Sequence, residues 1–168
     1  MASLITRRRL LVGGAALAAA SLAGGLASFL HLPPSSPGYK VLSEREQLQV
    51  SALGQALFPT GNPLGPSFLE IDGVARVDAL LDDGLHARSV KPLRYTLGAL
   101  DWGARLSLGT PLHLLDPAEA LTLLQAWSTH EVILRRAAVD GVKSVLAMAY
   151  FDNARVLERL EFTPGCYA

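Results

Sequence analysis

Chemistry in this chain would have to come from a short set of side chains. Four histidines, His31, His86, His113 and His130, and one cysteine, Cys166, are the available metal ligands and nucleophiles. No two of the histidines stand at a spacing that would bring both to one metal. His130-Glu131 lacks the second histidine four residues on that a zinc-protease helix requires. A single cysteine permits no intrachain disulfide and no thiolate cluster, and without Cys-x-x-Cys-His the chain cannot attach a c-type haem itself. Cys166 lies in an uncharged tail with no basic neighbour to lower its pKa, which makes it a poor nucleophile. Gly61-Asn62-Pro63-Leu64-Gly65 carries proline where a phosphate loop needs backbone donors, and no Lys-Ser/Thr follows. The acidic pairs Asp82-Asp83 and Glu44/Glu46 fall at predicted helix ends, where capping and solvated charge account for them. Arg135-Arg136 falls mid-helix, where pairing with Glu131 or Asp140 on a solvated face is the expectation. These residues nominate no catalytic, cofactor-binding or metal-binding position.

The elements that carry them begin with bulk properties. A chain of 168 residues, half of them hydrophobic and 18% charged, is predicted to form a single globular domain. Lys plus Arg number 15 and Asp plus Glu number 15, but Arg7, Arg8 and Arg9 belong to the first segment; without them the balance is 12 minus 15, or −3. A weakly acidic body lacks the clustered cations that bind phosphate backbones, which argues against a nucleic-acid partner.

The first segment is the most informative. Thr6-Arg7-Arg8-Arg9-Leu10-Leu11 sets an arginine pair ahead of an apolar run, and no charge occurs from Leu10 to Leu30. This is the architecture of an export signal. Its Ala/Gly-rich, mildly hydrophobic character and the order hydroxyl, Arg, Arg, variable, two large apolar residues resemble a twin-arginine signal, so Thr6, Arg7, Arg8, Leu10 and Leu11 are the targeting residues. Residues 1–27 are read as that signal, with cleavage after Ala27. Retention as an anchor stays open, because 21 uncharged residues could reach about 30 Å as a helix. The expected compartment is the periplasm.

Residues 28–40 read as a Pro/Ser-rich linker and 41–168 as the folded domain. Ser43-Glu44-Arg45-Glu46 is a capping box for a helix running to about Leu57, with Val50, Leu53 and Leu57 on one stripe. Phe58-Pro59 starts a long loop to Leu69. Val74, Val77, Leu80 and Leu81 predict a second helix, ending at Asp82-Asp83-Gly84. A third opens at Ser89 with Pro92 in its first turn and buries Leu93, Leu97, Leu100 and Ala104. Asp116-Pro117-Ala118-Glu119 starts a fourth, with Leu121, Leu124 and Trp127 inward. Ser128-Thr129-His130-Glu131 offers a further capping box, so 116–148 divides into two helices. A short last turn begins at Asp152 or Asn153. No period-2 run is present. The predicted class is all-α, a small single-domain bundle of about five or six helices after the signal.

The chain resembles the gluconate 2-dehydrogenase subunit 3 family, small subunits of membrane-associated sugar and sugar-acid dehydrogenases. The resemblance rests on the signal at Thr6 to Leu11, the first helix after Leu42-Ser43, and its exit through Ala56-Leu57-Phe58-Pro59 into a Pro/Gly loop. Gly73-Val74-Ala75 and the run Ala149-Tyr150-Phe151-Asp152-Asn153-Ala154-Arg155-Val156-Leu157, followed by Phe162-Thr163-Pro164-Gly165, complete it. It spans Val41 to Tyr167, and Leu160-Glu161-Phe162 departs from the family's usual aromatic-Gly pairing after the last helix. The resemblance implies a non-catalytic subunit with no cofactor of its own. Its partner would be a signal-less FAD-dependent dehydrogenase of the glucose-methanol-choline type, with a multihaem cytochrome c carrying haem c as a further component and the twin-arginine translocase as the export route. A stand-alone helical enzyme or ligand-binding protein and an anchored scaffold without a redox link are the competing readings. For an escort subunit, the expected partner contacts are Phe58, Phe68, Trp102, Phe162 and Tyr167, with a core role as the alternative for Phe58 and Phe68.

Overall fold

The computed structural model describes residues 32–84 and 87–161, and it is all-helical among them. Six α-helices follow in order: α1 Glu44–Leu57, α2 Gly73–Ala79, α3 Ala87–Leu108, α4 Pro117–Ser128, α5 Ile133–Phe151 and α6 Ala154–Arg159. A π turn, Leu80–Gly84, extends α2, and a 3-10 turn, Leu112–Leu114, joins α3 to α4. α1 packs against α2, α3, α4 and the 3-10 turn, while α5 packs against α2, α3, α4 and α6. Among the described residues no helix is long and apolar enough to cross a membrane. The residues expected to direct export, Thr6, Arg7, Arg8, Leu10 and Leu11, together with His31, His86, Phe162, Cys166 and Tyr167, lie outside the described residues.

Local signals set most helix boundaries. The Ser43/Glu46 capping box forms at α1, and Asp116 caps α4 by accepting from the Glu119 N–H at 2.8 Å with Pro117 at the first helical position. Gly109, at φ +72, ends α3 in the left-handed conformation that glycine adopts without a Cβ penalty. Of the predicted stripes, Val50 and Leu53 on α1, Val77 on α2, Leu81 just after it, Leu93, Leu97, Leu100 and Ala104 on α3 and Leu124 on α4 are buried, while Leu57, Val74, Leu80, Leu121 and Trp127 are partly buried against the same core.

Three expectations are corrected. α3 begins two residues before Ser89, so Pro92 sits inside the helix rather than in its first turn. The second half of the 116–148 segment is not started by a Ser128 capping box. α5 begins after Val132, whose N–H donates to His130 Nδ1 at 3.1 Å. Arg135 and Arg136 make no ion pair with Glu131 or Asp140: Arg135 lies over the Trp127 ring at 5.2 Å, and Arg136 Nη1 donates to the His130 carbonyl at 2.9 Å.

Three buried carboxylates fasten the bundle. Asp78 on α2 accepts from the backbone N–H groups of Lys40, Val41 and Leu42 at 2.8, 3.0 and 2.8 Å, laying the end of the linker on the helices. Glu46 on α1 is not a solvated helix-end charge. Arg94 on α3 donates to it from Nε and Nη2 at 2.7 and 2.8 Å and also to the Pro33 carbonyl. Residues read as free linker are thereby part of the compact unit.

Asp101 on α3 accepts from Arg105 Nε at 2.8 Å, from the Leu112 N–H at 2.9 Å and from Arg45. Burial alone would push its carboxyl up, but the bonds from Arg105, the Leu112 N–H and Arg45 outweigh that and hold it below the ordinary value. A carboxylate depressed in the folded state adds stability above its unfolded pKa of about 3.9 and loses it as pH falls through the lower folded value. Thermal midpoints measured from neutral pH downward should therefore drop more steeply below about pH 4 for the wild-type chain than for Asp101→Asn, which cannot titrate there. Parallel acid limbs for the two proteins would refute the assignment.

Candidate functional site

Three of the segments that carry the resemblance, Ala56 to Pro59, Gly73 to Ala75 and Ala149 to Leu157, come together in one corner of the fold; Thr6 to Leu11 and Phe162 to Gly165 lie outside the described residues. α1 ends at Leu57, and the chain turns through Phe58, whose ring stacks on Tyr150 of α5 at 3.9 Å between centroids and 4° between planes. Phe151 stands edge-on to both, at 6.0 Å from Phe58 and 5.3 Å from Tyr150. The edge-on contacts of Phe151 add to the stability that area burial alone provides.

The loop from Phe58 to Leu69 is closed by its own backbone and one asparagine. The Phe68 N–H donates to the Phe58 carbonyl at 3.0 Å, and the Gly73 N–H donates to the Phe68 carbonyl at 2.9 Å. Asn62 Nδ2 donates to the Pro59 carbonyl at 2.9 Å and the Pro66 carbonyl at 3.2 Å, while its Oδ1 accepts from the Leu64 N–H at 2.9 Å. The Tyr150 hydroxyl donates to the Pro66 carbonyl at 2.7 Å and stands 3.3 Å from Asn62 Oδ1. The carbonyls of Pro59 and Pro66 thus find donors within the fold. On the far side, Glu70 accepts from the Ser67 N–H and hydroxyl, both at 2.6 Å; these bonds hold its carboxyl below the usual range. Arg155 of α6 donates to the Glu70 carbonyl at 3.3 Å, and Asn153 caps α6 by accepting from the Arg155 N–H.

Phe68 is the keystone of this corner. It is 0% exposed, and its ring fills a slot walled by Gly54 of α1 and Gly73 of α2. A Cβ at Gly54 would stand 2.2 Å from the ring, and one at Gly73 would stand 2.6 Å from it. Both glycines are required by this close approach. The expectation of Phe58 and Phe68 as partner contacts is accordingly corrected: both are core residues, because the loop folds back on α1, α2 and α5 instead of standing away from them. Trp102 keeps its candidacy. It is 42% exposed on α3, one helical turn before Leu106, which is also exposed. Trp127 faces the neighbouring Gly103.

The histidines are dispersed. His113 lines a groove of about 260 Å³ with Leu48, Ser51, Ala52, Gln55, Leu115 and Pro117, and its Nδ1 is buried without a hydrogen-bond partner. His130 serves the start of α5 and stands 2.8 Å from Arg135 Nη1. No group of three or more His, Cys, Asp or Glu side chains among the described residues could hold a metal ion. What the corner offers is a rigid aromatic and backbone scaffold that fixes the neighbouring surface, with Leu69, Met148 and Leu160 exposed around it. Sequence reasoning missed Asn62 and the Phe58–Tyr150 stack as its organising contacts. The signal available for the first was an asparagine between Gly61 and Pro63, a setting in which Asn side chains bond local backbone. Compared with known proteins, the chain matches no family model, no curated protein and no solved structure.

Proposed function

We propose that the chain is a non-catalytic small subunit that assists the maturation, export and docking of a periplasmic FAD-dependent dehydrogenase of the glucose-methanol-choline type, acting on sugars, sugar acids or alcohols. The observation that supports this reading is the meeting of three of the resembling segments. Ala56 to Pro59, Gly73 to Ala75 and Ala149 to Leu157 form one bonded corner through the Phe58–Tyr150 stack, the Phe68 slot and the Arg155 bond. Punctuation scattered along the sequence would be coincidence if it sat in unrelated places; its use in a single structural unit supports kinship of fold. The apolar surface around Trp102 and Leu106 is of the kind that anchors a protein partner, since exposed Trp is enriched at interface centres.

The test is purification of the tagged full-length chain from its native host, with FAD assayed in the complex and the co-purifying polypeptide identified. The expected result is a signal-less flavoprotein with FAD. Trp102→Ala is expected to lower its recovery several-fold while the subunit's thermal midpoint changes little, because the side chain is partly in water already. A chain recovered without flavin or a flavoprotein would defeat the reading. One observation favours a second reading, a stand-alone ligand-binding protein: the groove at His113. Recovery of the chain alone with a small molecule, lost on His113→Phe, would establish that alternative.

A further inference from the structure

Of the three buried carboxylates that fasten the bundle, Asp101 alone takes two cations. Asp78 accepts only from backbone N–H groups, and Glu46 meets the single guanidinium of Arg94. At Asp101, Oδ1 accepts from the Leu112 N–H, while Arg45 Nη2 and Arg105 Nε both donate to Oδ2. One arginine would neutralise this carboxylate, so the cluster is left with one excess positive charge. That charge lies toward water: the Asp101 side chain is 1% exposed, whereas those of Arg45 and Arg105 are 56% and 40% exposed. A guanidinium carries five N–H donors, and among the described residues each of these two uses its donors only on Asp101 and meets no second acid.

The cluster borders the groove at His113. Leu48 and Ala52, three and seven residues after Arg45, line the groove from α1, and positions at that spacing share a helix face. The opposite wall is the chain just past Leu112, through His113, Leu115 and Pro117. No hydrogen bond within the described chain accounts for His113, whose Nδ1 is buried unpaired at a cost in stability. Gln55 donates to the carbonyl and hydroxyl of Ser51 on its own helix, which leaves its side-chain oxygen unengaged among the described residues. The volume of about 260 Å³ falls just below the range of about 300–1,000 Å³ that holds drug-sized ligands. We propose that this groove binds a small organic monocarboxylate, with the carboxylate on the remaining donors of Arg45 and Arg105 and the body against Leu48, Ala52 and Leu115. Charge and shape select the class. A carboxylate cancels the one excess charge and matches the planar guanidinium fork, whereas a phosphate dianion would leave the site negative. The site stands whether the chain works beside a flavoprotein or alone.

Titration of hexanoate into the isotope-labelled full-length chain in non-ionic detergent, followed by backbone and arginine side-chain NMR, tests this. Hexanoate is expected to bind with a Kd of about 1 mM or tighter and to shift the signals of Leu112, His113, Arg45 and Arg105. Hexanol and hexylammonium, which share its body and lack the negative charge, should bind at least about tenfold more weakly. Arg45→Gln removes the excess charge but leaves Asp101 its bonds from Arg105 and Leu112, so affinity should fall at least about tenfold while the thermal midpoint stays near that of wild type. Ala52→Leu fills the groove from a half-buried helix position that leucine suits, and should abolish binding with the fold intact. No saturable shift up to about 20 mM hexanoate, equal affinity for hexanol, or unchanged binding in either folded variant would each overturn the proposal.

Discussion

Replacing Phe68 by alanine is expected to destabilise the domain by about 3–5 kcal/mol, the cost of removing a large aromatic side chain from a site that cannot collapse around the void. The slot is rigid for identifiable reasons. Its walls are the backbones of α1 at Gly54 and α2 at Gly73, and the Phe68 N–H and carbonyl are both bonded, to Phe58 and Gly73. Against a total stability of about 5–15 kcal/mol, such a loss removes from about a fifth of it to all of it. Denaturant titration of the two proteins measures it directly. An unfolding free energy for Phe68→Ala within about 1 kcal/mol of wild type would mean that the slot collapses around the void and that the ring contributes little to stability.

Arg94→Leu should be comparably damaging, by about 3–5 kcal/mol, because it leaves the buried Glu46 carboxylate without its counter-charge, bonded only to the Ser43 N–H and hydroxyl. The side chains are 12% and 8% exposed, so water cannot take over the work of the lost guanidinium. The diagnostic comparison is the double variant Arg94→Leu, Glu46→Leu. Removing both charges abolishes the stranded ion, and the pair is expected to cost at least about 2 kcal/mol less than the sum of the two single variants. Strict additivity in chemical denaturation would show that Arg94 and Glu46 are not energetically coupled.

The sequence revealed features that depend on neighbours along the chain and concealed those that depend on neighbours in space. Asp116, Pro117 and Glu119 announce the start of α4 because a cap is satisfied within one turn, and the leucines of α3 announce their face because burial recurs with the helical period. The pairing of Glu46 with Arg94, 48 residues away, has no such local signature, and Glu46 alone looked like a solvated capping residue. Phe68 was ambiguous for the same reason. A phenylalanine in a proline-rich loop belongs to no periodic stripe, and the two glycines that make room for it, Gly54 and Gly73, resemble ordinary helix punctuation until the helices are packed. The corner formed by Phe58, Asn62 and Tyr150 was visible only as conspicuous residue types, whereas its bonds required the fold. Arg135 shows the converse limit: an i,i+4 rule offered it a carboxylate, and it lies instead over Trp127.

The central claim, that this chain carries a flavoprotein partner through a twin-arginine signal, is tested most directly by following the partner rather than the chain. In the native host, replacing Arg7 and Arg8 together by lysine alters the paired arginines while leaving the folded domain untouched. FAD-linked dehydrogenase activity is then assayed in periplasmic and cytoplasmic fractions with an artificial electron acceptor, over a panel of sugars, sugar acids and alcohols. The account predicts that activity found in the periplasm of the wild-type strain falls at least about tenfold there in the variant, with the flavoprotein retained in the cytoplasm. An unchanged periplasmic activity, with the variant chain itself left inside the cell, would contradict it.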